Sequence, residues 1–119
     1  MLTFNLKKEW FEKIKSGEKT HEYREVKDYW INIFLREFFC IDKKTKPADV
    51  STYKAGFLTC LSQNYCSFGK PTIRFMNGMV SEKIKPRIYA KMKSIGIING
   101  KETDLKINKP VFDIEFELI

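Results

Sequence analysis

The alternation between Arg87 and Ile98 constrains this chain most. Ile88, Ala90 and Met92 fall on one side of an extended segment and Arg87, Tyr89, Lys91 and Lys93 on the other, the period of two that a half-buried strand requires. The next inward candidates are Ile95 and Ile97, an odd step after an even run. One inserted residue produces that slip, so the pattern predicts a bulge near Lys93 or Ser94, of the kind that bends strands into barrels. The closing segment alternates too, with Phe112, Ile114, Phe116 and Leu118 apolar and Asp113, Glu115 and Glu117 acidic. Laid antiparallel to residues 87–93, its three carboxylates would face Arg87, Lys91 and Lys93 as cross-strand pairs.

The rest of the chain supplies partners for those strands. Leu2, Phe4 and Leu6 alternate with polar residues as a first strand. Leu6, Trp10, Phe11 and Ile14 then recur at helical spacing, predicting a helix over 7–16 with Asn5 as its cap and Trp10 as a core anchor. A second helix starts at a capping Asp28 and carries Tyr29, Trp30, Ile33, Phe34 and Phe38 on one stripe, with Ile31, Leu35 and Phe39 on another. A helix apolar around so much of its girth is either buried or a contact surface for a partner. Residues 42–55 contain several breakers and Lys43, Lys44, Lys46 and Lys54, and read as an exposed basic loop. Gly56–Leu61 reads as a short strand, 62–69 as loop, and Pro71–Met76 as a strand ending in the tight-turn pair Asn77-Gly78. Asn99-Gly100 makes another turn, into a basic loop at 101–109.

Between the two helices lies the stretch richest in chemistry, Gly17-Glu18-Lys19-Thr20-His21-Glu22-Tyr23-Arg24. Gly17 suits the left-handed position that ends a helix, and Lys13 and Lys15 suit its last turn. A strand beginning at about Lys19 sends Thr20, Glu22 and Arg24 to one face and Lys19, His21 and Tyr23 to the other, with Lys19 able to lean either way. As spacing alone, Glu22 and Arg24 could be a solvated ion pair on an edge strand, which contributes little. The pattern Gly17-x-Lys19-x-x-Glu22-x-Arg24, placed after a helix, resembles the signature of the ASCH domain family, relatives of PUA domains. Tyr29-Trp30 is similar to the aromatic pair that follows it there. The Asn-Gly strand also matches, with Met79 where an aromatic is common. The resemblance implies a PUA-like architecture, with the motif lining a cleft between the sheet and the helices. The elements themselves give the same fold class, α+β: an open mixed β-barrel of five to six strands with two main helices.

Composition narrows the function classes. The 119 residues, 43% hydrophobic with ten Phe, five Tyr and two Trp, fit one globular domain, 1–119. No apolar run approaches a membrane span and the N-terminus lacks a basic-then-apolar leader, so no membrane partner and a cytoplasmic location are expected. Cys40, Cys60 and Cys66 with the single His21 make no zinc pattern, so no metal or other cofactor is expected and the cysteines are read as mostly buried free thiols. The net charge of +7 is unevenly placed: residues 51–110 hold 11 basic and 3 acidic side chains. That excess favours phosphate-bearing partners.

Three function classes follow. The first is RNA or nucleotide binding, with Lys19 and Arg24 on phosphate, Glu22 orienting Arg24 or accepting from a base or sugar, and Arg74 as a further phosphate contact on its strand. The second is hydrolysis, with Lys19 and Glu22 as catalytic residues. Some ASCH proteins are amidohydrolases of acetylated cytidine that use a motif Lys and Thr with a distant Glu. Lys19 matches that Lys, Glu22 stands where the Thr is required, Thr20 is displaced by two, and Glu82 is the stand-in for the distant Glu. Other members resemble metal-stimulated ribonucleases, with which a Lys19–Tyr23 pairing is compatible. The third is a protein-interaction module using helix 28–39.

Overall fold

The computed structural model of the chain describes residues 1–78 and 86–119. Its elements run β1 (Leu2–Leu6), α1 (Lys8–Lys15), β2 (His21–Glu25), α2 (Asp28–Phe39), α3 (Pro47–Gln63), β3 (Thr72–Asn77), β4 (Arg87–Asn99), a 3-10 turn (Gly100–Glu102) and β5 (Pro110–Leu118). Five strands in the order β1-β3-β4-β5-β2 form one sheet, curled into a half-barrel. Among the described residues only β1 and β3 pair in parallel. The mixed barrel-like sheet anticipated from the alternation is present, with three helices rather than two. Among the described residues no helix is long and apolar enough to cross a membrane.

The expected bulge is there. The β4–β5 register slips between Met92 and Ser94, leaving Lys93 as the inserted residue. The slip turns Ile95 inward, opposite Ile114, and sets Gly96 opposite Asp113 on the convex face. The expected row of cross-strand ion pairs is thereby reduced. Lys93 reaches Glu115 at 3.4 Å and Lys91 opposes Glu117, but the β4–β5 ladder ends at the Ala90–Leu118 pair, short of Arg87, and Asp113 faces a glycine.

The concave face carries Phe4, Ile73, Phe75, Ala90, Met92, Phe112, Ile114 and Phe116, all essentially inaccessible. Helices α2 and α3 cover them: the Phe34 ring meets Phe112 edge-on at 4.8 Å between centroids, and Phe57 lies 6.1 Å from Phe112. Each such Phe, Ile or Met side chain withdrawn from water contributes about 2 kcal/mol, and Ala90 less. The apolar girth of α2 is thus largely used internally, with Ile31, Phe34 and Leu35 buried and Trp30 against Phe4.

The principal correction concerns residues 42–69. What reads as a basic loop and a short strand is the 17-residue α3. Pro47 opens it, where a missing N–H costs nothing, and Val50, Phe57 and Leu61 recur on one face. Lys54 interrupts that stripe and Gly56 sits mid-helix, so the periodicity is diluted; only a narrow edge of α3 meets the sheet. Lys54 pairs with Asp28 at 2.9 Å rather than standing free. Smaller corrections concern caps and thiols. Asn5 lies within β1, the N-cap of α1 is Lys7, and that of α2 is Lys27, with Asp28 in the first turn. Cys40 and Cys60 are exposed and Cys66 partly so, because they sit at helix ends and in a surface connection. The β3–β4 ladder resumes with the Asn77 amide on the Pro86 carbonyl, so Asn77-Gly78 is not the centre of a two-residue hairpin. Met79 and Glu82 lie outside the described residues.

Candidate functional site

Helix α1 ends as its sequence dictates. Gly17 takes φ +82°, its amide bonds to Ile14, and the Lys19 amide reaches back to the Lys13 carbonyl. That wrap fixes Lys19 just before β2, at the open edge of the half-barrel. β2 is an edge strand whose alternation then sorts its side chains. Glu22 and Arg24 oppose Ile114 and Phe112 and enter the concave side, while His21 and Tyr23 lie on the convex side.

Lys19, Glu22 and Arg24 surround one hollow of about 320 Å³, completed by Trp10 of α1 and by Asp104 and Leu105 of the β4–β5 connection. The Lys19 ammonium is ion-paired with Asp104 and lies over the rings of Trp10 and Tyr23, 5.1 and 5.2 Å from their centroids. The Arg24 guanidinium lies over the adjoining rings of Phe4 and Trp30, 5.1 and 4.8 Å from their centroids, and reaches the Asn5 carbonyl at 3.5 Å, which brings the two sheet edges together.

Glu22 is not the solvated partner that spacing alone allows, for it is 5% exposed. Its Oε1 accepts the Tyr23 amide at 3.0 Å. Oε2 lies 3.7 Å from Arg24, with no hydrogen-bond donor. Burial pushes the Glu22 carboxyl above its ordinary range, against the opposing pull of Arg24 and Lys19. Desolvation prevails because Arg24 stands off at 3.7 Å, beyond hydrogen-bond distance, and the Lys19 ammonium is ion-paired with Asp104.

Arg74 does not join them. It sits on β3 between Thr3 and Tyr89, alternating with the core residues Ile73 and Phe75, so it leaves the sheet on the convex face. Trp10, expected only as a core anchor, packs on the core and also walls the hollow. Among the described residues no three His, Cys, Asp or Glu side chains are grouped to hold a metal.

A second constellation lies on the other face of the same two strands. Asp113, 5% exposed, receives the Tyr65 hydroxyl at 2.5 Å on Oδ2 and meets His21 Nδ1 at 2.7 Å on Oδ1. Burial, and then the bond to Asp113, hold the Tyr65 phenol well above its usual range, so it stays a donor. Tyr65 comes from the connection after α3, pinned to the sheet by reciprocal backbone bonds between Cys66 and Ile95. Gly96 gives its ring room: a Cβ there would lie 2.8 Å from it. Asp104, Tyr65 and Asp113 escape sequence reasoning, because nothing local links Tyr65 or Asp104 to the motif and Asp113 reads as one of three alternating surface acids. The one available signal is the phase slip at Lys93, which sets Gly96 beside Asp113. No family model, curated protein or solved structure matches the chain.

Proposed function

We propose that this chain is an RNA-binding domain of the ASCH type, PUA-like in fold, that takes a nucleotide of a single strand into the hollow between Lys19, Glu22 and Arg24. The observation that carries the reading is the buried Glu22 carboxylate in the wall of that hollow, whose Oε2 lies beneath the surface without a donor, so that a small shift of the wall would bring it to a ligand. A buried acceptor left unpaired costs roughly 1–3 kcal/mol. A base N–H or ribose hydroxyl supplies the missing bond. Lys19 and Arg24 receive the phosphates, which compete with Asp104 for the Lys19 ammonium, and Trp10 and Tyr23 offer aromatic faces for stacking.

Anisotropy of a labelled single-stranded RNA tests this. Affinity falls as salt rises, and Lys19→Ala weakens it roughly tenfold while flattening the salt dependence by about one phosphate. Binding that ignores both salt and Lys19→Ala overturns the reading.

A further inference from the structure

We propose that His21, oriented by Asp113, is a general base on the rim of the RNA cleft, and that the chain cleaves RNA by driving the ribose 2′-hydroxyl onto its neighbouring phosphodiester. The inference rests on the RNA-binding reading of the adjacent hollow, but it is carried by residues which that reading does not use.

The geometry of the pair assigns its roles. Nδ1 of His21 is committed to Asp113 Oδ1 at 2.7 Å, which leaves Nε2 as the nitrogen for chemistry. The imidazole is about a third exposed, 34%, whereas the Asp113 side chain is 8% exposed. The second carboxylate oxygen is held by the Tyr65 hydroxyl. Among the described residues no lysine or arginine is ion-paired with Asp113, so the cation available to that carboxylate is the imidazolium formed when Nε2 takes up a proton. A carboxylate that fixes the ring and stabilises its protonated form is what a histidine base requires. Other ionisable neighbours are Tyr23, whose ring stacks 6.1 Å from that of His21, Glu115, which opposes His21 in register and is itself paired with Lys93, and Lys13, Glu18 and Asp104, which line the same hollow as His21.

The scaffold behind the pair is built from three separate parts of the chain: β2 supplies His21, β5 supplies Asp113 and the α3–β3 connection supplies Tyr65. The reaction partner is close by. His21 and Lys19 line one further hollow of about 300 Å³, with Tyr23 between them. A phosphate on Lys19 therefore presents its attached ribose toward the His21 side.

The step balances without metal or redox partner. His21 Nε2 takes the proton from the 2′-hydroxyl, an O2′–P bond forms and the P–O5′ bond breaks. The departing 5′-oxygen takes a proton from water, and the imidazolium returns its proton to solvent. Lys19 offsets charge on the non-bridging oxygens. The products are a 2′,3′-cyclic phosphate and a 5′-hydroxyl. In this scheme His21 is the catalytic residue and Asp113 and Tyr65 are positioning residues.

The experiment incubates the full chain with a labelled single-stranded RNA in EDTA and identifies the new ends by mass spectrometry. The same sequence with 2′-O-methyl ribose serves as a binding probe. Expected are cyclic-phosphate ends, no cleavage of the methylated strand although it binds, and a roughly hundredfold fall in kcat for His21→Gln. Asp113→Asn, checked for folding by circular dichroism, lowers kcat about tenfold with KM unchanged, a split that a merely structural role would not give. If the methylated strand binds but RNA stays intact, or if cleavage survives His21→Gln, the inference falls and the cleft reading stands. If neither strand binds, both fall.

Discussion

Two buried carboxylates stand back to back on the β2–β5 pair, and they are satisfied in opposite ways. Asp113, on the convex face, has both oxygens occupied by a phenol and an imidazole at hydrogen-bond distance. Glu22, on the concave face, has one oxygen on a backbone amide and the other facing a guanidinium across 3.7 Å. In the first arrangement the fold satisfies both oxygens, and one of them orients a ring. The second is incomplete: burial raises the carboxyl's proton affinity, and one oxygen is left without a donor. Equal burial therefore says little about role. What differs is whether the fold itself supplies the donors.

The largest expected effect breaks the concave side. Arg24→Leu removes the cation paired with Glu22 and its contacts over the Phe4 and Trp30 rings. It should cost about 3 kcal/mol at neutral pH, as for other buried pairs that lose one partner. Urea denaturation measures it, and adding Glu22→Gln should recover part of the loss. If Arg24→Leu is as stable as the parent, Glu22 is not held by that ion pair.

Breaking the convex side costs less. Gly96→Ala sets a Cβ against the Tyr65 ring, which must swing away and release Asp113. The loss of one charge-assisted hydrogen bond predicts about 1.5 kcal/mol, read from the same denaturation curves. Adding Tyr65→Phe should then cost little more, since the bond it removes is already gone; additive losses would mean that the clash and the bond are unrelated.

The smallest effect sharpens the contrast through pH. Because the folded state raises the Glu22 carboxyl above its unfolded value of 4.5, its favourable contribution is full below that value and is lost as pH rises through the folded value. Glu22→Gln should therefore stabilise the protein by about 1 kcal/mol near pH 7 and hardly at all below pH 4. It should also weaken RNA binding. Thermal melts across pH check the first point; a gain that persists in acid would show that the carboxylate's charge is not what the fold resists.

Much of the concave side was readable in advance. Gly17 marks the end of α1, the alternation of β2 separates Glu22 and Arg24 from His21 and Tyr23, and the slip at Lys93 is seen in the β4–β5 register. All three depend on backbone geometry within a few residues, where a missing Cβ or a period of two acts directly. α3 was illegible for the opposite reason. Its stripe is narrow and broken by Lys54, and only the sheet and α2 beside it make burying Phe57 and Leu61 worthwhile. Arg74 belongs with the legible part: its alternation with Ile73 and Phe75 already places it on the face away from the core, and so away from Glu22 and Arg24.

From its residues alone this chain determined its five alternating strands, though not that Gly56–Leu61 is helix, together with its bulge, its first two helices and the motif that carries an amine, a carboxylate and a guanidinium in sequence. Only the tertiary structure decided that Asp104 would cover the amine, that burial would raise Glu22, and that Tyr65 and Asp113 would converge on His21. Local preferences act over a turn or a strand, whereas these contacts join residues up to 92 positions apart. They exist because the sheet curls and the helices close over it.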